Sequence, residues 1–328
     1  MYLFSVIIPL YNKALYVERA LRSVLIQSEQ NFEVVVVDDG STDDGAQKIQ
    51  SIRDSRIKLV QQDNHGVAVA RNVGAYSASG HWLVFLDADD MWGRDHLFEV
   101  RRLINAFPDV GMVGTSYREV EEGGDISFLD GSMPGSLRLI NYFDEARKHI
   151  GVINASNVTI NSAVFKESGG FSDYKYGEDL EFWARLALEH PVAISDRATV
   201  VYYRSNGGAM ENICSDSLPS SGCAPFDLSS VSPSVAMLAS KLNDLPPNSK
   251  LYISVAGYIN SRIVQGMRSA LIRGDVEKVK ALRSLFFQPL SGCKQFVWWS
   301  FSALPLLILH KVSVFRGFIK QNFIKLIR

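Results

Sequence analysis

Short apolar runs alternate with amphipathic stretches through the first third of the chain. Ser5–Pro9, Glu33–Val37, Ile57–Gln61 and Trp82–Leu86 read as strands. Between them, Ala14–Gln27, Asp43–Ile52 and Val67–Ala78 carry helical spacing. In the first helix Val17, Leu21, Val24 and Leu25 share a face, and Ser41-Thr42-Asp43 should open the second. Asp95–Ala106 and Val110–Thr115 continue the alternation. Near-continuous Val/Ile/Leu strands separated by amphipathic helices predict a mostly parallel α/β sheet, covered on both faces and joined by right-handed crossovers. Chain polarity then places the ends of the first, second and fourth strands along one edge. Those ends carry Tyr11-Asn12, Asp38-Asp39 and Asp87–Asp90.

From Ser116 to Gly151 the pattern weakens and excursions around the sheet are expected. Regular signals return at Asn157–Ile160 and in the helix Asp179–Glu189. Ser205–Pro233 is crowded with Ser, Gly, Pro and Asn, as in an active-site flap or a linker. Helical segments follow at about Leu251–Ile272 and Val276–Phe287, then a basic, apolar tail.

Composition narrows the class only slightly. With 47% hydrophobic and 21% charged residues the chain is an ordinary folded protein, and a net charge of −1 gives no pull toward nucleic acid. Three cysteines at spacings that fit no metal or redox motif are expected in a reduced, cytoplasmic setting. The start, Leu3 to Pro9, reads as a strand and not a signal peptide. No apolar run reaches the ~20 residues that span a bilayer as a helix. That argues against a processive, membrane-spanning synthase.

Asp87-Ala88-Asp89-Asp90, directly after an apolar strand, is the strongest chemical signal. Ionised Asp is seldom buried unless paired or bound to metal, and open α/β sheets bind ligands at this edge. Hard oxygen donors on a short loop suit Mg²⁺ or Mn²⁺ completed by substrate phosphates. An acidic helix start is the plainer reading. Asp38-Asp39-Gly40-Ser41-Thr42-Asp43 combines carboxylates that could meet a nucleobase or ribose with the grammar of a turn and helix cap. Gly66 before a helix lets backbone amides approach an anion, with Arg71 a turn further in.

Val6-Ile7-Ile8-Pro9-Leu10-Tyr11-Asn12-Lys13, Val37 through Asp43, Gly66 through Asn72 and Leu86 through Asp90 stand in order. Gly169-Gly170-Phe171 follows, and then Gly177-Glu178-Asp179-Leu180-Glu181-Phe182-Trp183. Together they resemble the family 2 glycosyltransferases of GT-A fold, over about residues 3 to 205. The resemblance implies a Rossmann-like, mostly parallel sheet with helices on both faces and a helical C-terminal extension. It also implies a nucleoside-diphosphate sugar donor (UDP-linked by expectation), a Mg²⁺ or Mn²⁺ cofactor and inversion at the anomeric carbon.

Carried over by position, Pro9, Tyr11 and Asn12 would line the nucleotide pocket. Asp39 would meet the base with Asp38 in support, and Arg71 would sit near the base or phosphates. Asp89 would hold the metal, with Asp87 or Asp90 contacting ribose or metal. Asp179 would be the general base for the acceptor hydroxyl, with Glu178 as its competitor. Tyr202-Tyr203-Arg204 resembles the family's last block, in which Arg204 would be a site residue. Asn206 stands where the family usually has a histidine.

The implied domains are a catalytic domain at 1–205, divided near 115 into nucleotide and acceptor halves, a loop-rich linker or flap at 206–250, and a helical, basic tail at 251–328. In the tail Phe315, Phe318, Ile319 and Phe323 interleave with Arg316, Lys320 and Lys325, as in a segment lying on anionic lipid. The expected protein is a peripheral enzyme on the cytoplasmic membrane face, extending a cell-surface glycan or lipid-linked oligosaccharide. The competing readings are a non-catalytic scaffold that binds sugar nucleotide and a nucleotidyltransferase. Pro9-Leu10-Tyr11-Asn12-Lys13 argues against the second, which needs a glycine- and arginine-rich phosphate loop there.

Overall fold

A computed structural model describes residues 3–131, 133–204, 232–273 and 275–287. The expected flap from Ser205 and the basic tail beyond Phe287 lie outside the described residues. The chain divides into two compact units, Met1–Tyr142 with Ile150–Ser221 and Phe143–His149 with Gly222–Arg328.

The first unit is built on a nine-stranded sheet. Its leading strands are β1 (Phe4–Leu10), β2 (Phe32–Asp39), β3 (Ile57–Gln62) and β4 (Trp82–Phe85). They lie parallel in the order β3-β2-β1-β4, as the run of Val and Ile predicts. The remainder is mixed: β5 (Met91–Trp92), β6 (Met112–Glu121), β7 (Leu137–Ile140), β8 (Val158–Asn161) and β9 (Val192–Arg204). β8 runs antiparallel to both β4 and β6, and β9 runs parallel to β6. Two reversals restore the direction of β4, so β6 and β9 end on the same edge as β1, β2 and β4.

Helices cover both faces. α1 (Val17–Leu25) buries Val17, Ala20, Leu21 and Val24 at helical spacing. With α4 (His96–Ala106) it packs on the face of β1 that carries Val6, Ile8 and Leu10. α2 (Gly45–Ser51) adds Ile49 to that core. α3 (Val67–Tyr76) lies on the opposite face, where a Cβ at Gly74 would come within 2.5 Å of Ile7. This close approach, made by Ala68, Ala70, Gly74 and Ala75, brings Arg71 against the sheet edge.

Two sequence expectations are corrected. α2 begins at Gly45, whose N donates to Asp43 Oδ1 at 3.0 Å, while Ser41 and Thr42 do not cap it. Their groups are drawn to the loop after β1: Ser41 Oγ accepts from Asn12 N, Thr42 N donates to Asn12 Oδ1, and Asp43 Oδ2 accepts from Ala14 N. The weak region beyond Thr115 holds the second half of β6, which pairs with β9 across a bulge near Ser116.

In the second unit, α8 (Pro233–Leu242) stands inside the stretch expected to be loop-rich, opened by Ser232, whose hydroxyl accepts from Val235 N. α9 (Lys250–Arg273) and α10 (Val276–Ser284) follow, the latter capped by Asp275. α5 (Tyr142–Lys148) contributes Phe143, edge-on to Tyr258, and Asp144, which accepts from Ser254. Among the described residues no helix is long and apolar enough to cross a membrane.

Candidate active site

The carboxyl ends of β1, β2 and β4 bring the expected donor-side residues to one edge. Pro9 is buried in β1, while Tyr11 and Asn12 are exposed just beyond it. Asn12 adopts a left-handed backbone (φ 52°), a conformation Asn tolerates, and clasps the Ser41-Thr42 turn. Asp38 and Asp39 are buried and heavily used. Asp38 accepts from Ser41 N and Gln61. Asp39 accepts from Gln62 at 2.6 Å, His65 N at 2.9 Å and Gly66 N at 2.8 Å. A carboxylate offers about four lone-pair sites. A base contact from Asp39 would therefore use its last free site, and the shown work of this residue is to hold the turn that starts α3.

The three acidic groups after β4 have separate environments. Asp87 is 29% exposed and takes an ion pair from Arg71 at 2.8 Å. Asp89 is 23% exposed, and Lys13 Nζ lies 2.6 Å from its Oδ2. Asp90 is 1% exposed and accepts from Ser156 Oγ and, at 3.0 Å, from Tyr203 N. Burial, with the neighbouring Asp87 charge, holds the Asp90 carboxyl well above the usual range. Each Asp90 oxygen thus takes one bond, tying the loop to β9 and to Ser156.

Among the described residues no group of three or more His, Cys, Asp or Glu is arranged to hold a metal ion. Mg²⁺ commonly takes only one or two carboxylates and lets substrate phosphates complete its shell. Asp89, with Asp87 beside it, fits that mode, and the Lys13 ammonium already occupies the place of a cation on Asp89. The two assignments separate cleanly by binding. Asp90→Asn should leave Mn²⁺ affinity within about twofold, because an amide can still accept from Tyr203 N and meet Ser156. Asp89→Asn should weaken it by more than about tenfold, the scale for loss of a supporting or direct ligand. Mn²⁺ titration followed by electron paramagnetic resonance reads both, and the reverse ranking would place the ligand at Asp90.

The acceptor-side motif is placed by residues of α3. Asn72 bonds Phe171 N and O, both at 2.8 Å. Gly170 has φ 75°, and a Cβ there would meet Asn72 Oδ1 at 2.5 Å. Arg185 Nη2 donates to Gly170 O at 2.7 Å. Phe171 then packs with Phe182 and Trp183 beneath α7 (Glu178–Glu189), whose start follows Gly177 in left-handed conformation.

Arg71 spans the two halves. It is buried, with Nη2 on Asp87 and Nη1 on Glu178 Oε1, each at 2.8 Å, and its guanidinium lies 5.5 Å from the Phe171 ring centre. Arg71 is thus a buried bridge and not a solvated surface residue. Burial opposes the Arg71 charge, but Asp87 and Glu178 more than offset it and its pKa is raised. Burial likewise raises the Glu178 and Asp179 carboxyls, against the pull of Arg71. Glu178 is committed to Arg71. Asp179 accepts from Leu180 N at 2.7 Å and makes no hydrogen bond to Arg71.

Arg204 stands apart: it is exposed at the end of β9 and paired with Glu119. Arg19 and Ser156 of this edge had no motif to mark them, and Lys13 and Tyr202 stood in quoted blocks without a role. Arg19 donates to Asp89 O at 2.7 Å and lies 3.7 Å over the Tyr203 ring. The Tyr202 phenol is pushed up to about 12 by burial and by the Asp90, Asp87 and Asp89 charges.

The comparisons agree with this geometry. The description Glycosyl transferase family 2 matches residues 5–168. An uncharacterized glycosyltransferase of Rickettsia conorii is 32% identical over 195 residues, 59% of this chain and 31% of that protein. The minor teichoic acid biosynthesis protein GgaA of Bacillus subtilis is 29% identical over 192 residues, 55% of this chain and 41% of that protein. The chain thus spans less than half the length of these relatives. S. aureus TarS 1-349 in complex with UDP-GlcNAc superposes with a TM-score of 0.67 at 20% identity, covering 97% of this chain and 92% of that one. The mannosyltransferase PcManGT from Pyrobaculum calidifontis, in complex with GDP-Man and Mn²⁺, gives 0.55 at 20% identity over 94% and 86%. Fold and site define a glycosyltransferase of the GT-A kind. The chain belongs to glycosyl transferase family 2.

Proposed function

We propose that this enzyme transfers one sugar, with inversion, from a UDP-linked donor to a hydroxyl of a cell-surface glycan or lipid-linked oligosaccharide. One observation carries the reading: Arg71 joins Asp87 of the donor edge to Glu178 and so sets Asp179 beside the carboxylates that would face the diphosphate. Tyr11 and Asn12 line the nucleotide side. Asp89, with Asp87, would hold a divalent cation, whose charge would offset that developing on the leaving diphosphate. Asp179 takes the proton of the acceptor hydroxyl, and burial raises its carboxyl above the ordinary range, which strengthens it as a base. Asp90, Ser156 and Arg19 fix the loop on which Asp89 stands.

A relative and a structural neighbour are in keeping with these acceptor and donor classes. GgaA is named for teichoic acid biosynthesis, and TarS 1-349 carries UDP-GlcNAc. The basic, apolar segment beyond Phe287 would keep the enzyme at an anionic membrane surface. The test is nucleotide-sugar hydrolysis across a donor panel, with Mn²⁺ or EDTA, for wild type and Asp89→Ala. Release of a nucleoside diphosphate from one donor, lost in EDTA and in the variant, supports the reading. Release that ignores both overturns it, and silence with acceptor lipid present favours the non-catalytic scaffold.

A further inference from the structure

We infer that Lys13 is an exchangeable counter-ion for Asp89: it holds the cation ligand in place before the metal arrives, then yields the carboxylate and turns to the donor diphosphate. The inference rests on the proposed metal role of Asp89 and adds a residue to it.

The geometry is specific to this pair. Of the three acidic groups after β4, Asp90 is spent on Ser156 and Tyr203, and Asp87 is held by Arg71. The Asp89 carboxylate meets Lys13 alone among the described residues, at 2.6 Å across 76 positions of sequence. Both ends are fixed except for the lysine stem. Lys13 O accepts from Tyr16 N and Val17 N at the start of α1, and the preceding Asn12 is clamped to the Ser41-Thr42 turn. On the other side, Arg19 holds the Asp89 carbonyl at 2.7 Å. The pair is neither exposed nor sealed, with side chains 32% and 23% accessible. Water and ions can reach it, so exchange is cheap.

The residue type matters as much as the place. An ammonium is a compact point charge on a flexible four-carbon stem, and it makes no bidentate fork with carboxylate. It neutralises Asp89 without locking it, and a dication that shares the carboxylate with phosphate oxygens displaces it readily. Displacement leaves the ammonium on a stem anchored beside the new diphosphate, an anion it can then pair with. Lys13 thus acts with opposite signs on the two ligands, competing with bare metal and assisting the metal-bound diphosphate.

The experiment titrates Mn²⁺ alone into the full chain by electron paramagnetic resonance, then UDP and GDP at saturating Mn²⁺, for wild type, Lys13→Met and Lys13→Arg. Lys13→Met should bind Mn²⁺ alone about fivefold more tightly, the scale of a half-exposed ion pair removed. It should bind the nucleoside diphosphate about tenfold more weakly, the size of one charge-assisted contact to phosphate. Lys13→Arg, which can fork onto Asp89, should bind Mn²⁺ alone no better than wild type. A structural role for Lys13 would not tighten metal binding, so equal or weaker Mn²⁺ affinity in a Lys13→Met protein that melts as wild type overturns the exchange. If Lys13→Met melts early, Lys13→Gln takes its place under the same criterion. Should wild type bind no Mn²⁺ even with nucleotide, the metal reading of Asp89 fails and takes this inference with it.

Discussion

Asp179→Asn lowers the rate of sugar transfer by about 10²- to 10⁴-fold, the range for loss of a positioned general base, with donor affinity unchanged. The substitution is nearly isosteric, and the amide oxygen can keep the 2.7 Å bond from Leu180 N. What disappears is the group proposed to take the acceptor proton. Glu178→Gln is the necessary companion, because the two carboxyls are neighbours at the start of α7 and both are raised by burial. Glu178 spends Oε1 on Arg71, so its amide form should cost stability more than turnover. A base must be deprotonated to act, and activity therefore falls as pH drops through its pKa. With the Asp179 carboxyl raised, the acid limb of kcat/KM should lie above the ordinary range for aspartate and should be absent from the residual activity of Asp179→Asn. Equal turnover in Asp179→Asn and wild type would remove Asp179 from the role, and loss of turnover in Glu178→Gln alone would transfer it to Glu178.

The donor edge was legible in the sequence because its strands are buried on both faces. Four valines at 34–37, β-branched and continuous, read as a covered strand, and chain direction then aligns the residues that follow β1, β2 and β4. The distal half was less legible. β6 turns from buried to exposed beyond Thr115, and β9 carries Ser195, Asp196 and Arg197 in its middle, so neither shows an apolar run. Their pairing is long-range and leaves no local trace. The acidic motifs announced themselves, but the division of labour among Asp87, Asp89 and Asp90 did not. It depends on which oxygen finds Arg71, Lys13 or Ser156, partners 16, 76 and 66 positions away. Asn72 is a like case: adjacent to Arg71 in a quoted motif, it takes its meaning from Phe171 across 99 positions.

Arg71→Met should lower the melting temperature by roughly 6 to 12 °C and shift the acid limb of activity to higher pH. Both effects come from one cause. Methionine keeps the apolar stem but loses the guanidinium over Phe171, and leaves Glu178 and Asp87 facing each other without a cation. Removing one partner of a buried ion pair costs about 3–5 kcal/mol. The lower figure applies because Asp87 is 29% exposed and water screens it. For a unit of this size about 3 kcal/mol corresponds to roughly the stated change in melting temperature. Arg71 also pulls the Glu178 and Asp179 carboxyls down. Without it both rise further, so a larger fraction of the base is protonated at neutral pH and turnover falls there while recovering in alkali. Arg71→Lys keeps a charge but cannot make two 2.8 Å bonds in opposite directions, and should recover the pH profile better than the stability. Pairing Arg71→Met with Glu178→Gln removes the stranded charge and should return part of the lost stability, which a residue acting only through packing would not do. A variant that melts and titrates as wild type would show instead that the donor and acceptor motifs are held together without Arg71, and the coupling between Asp87 and α7 would have to be sought in Asn72 and its grip on Phe171.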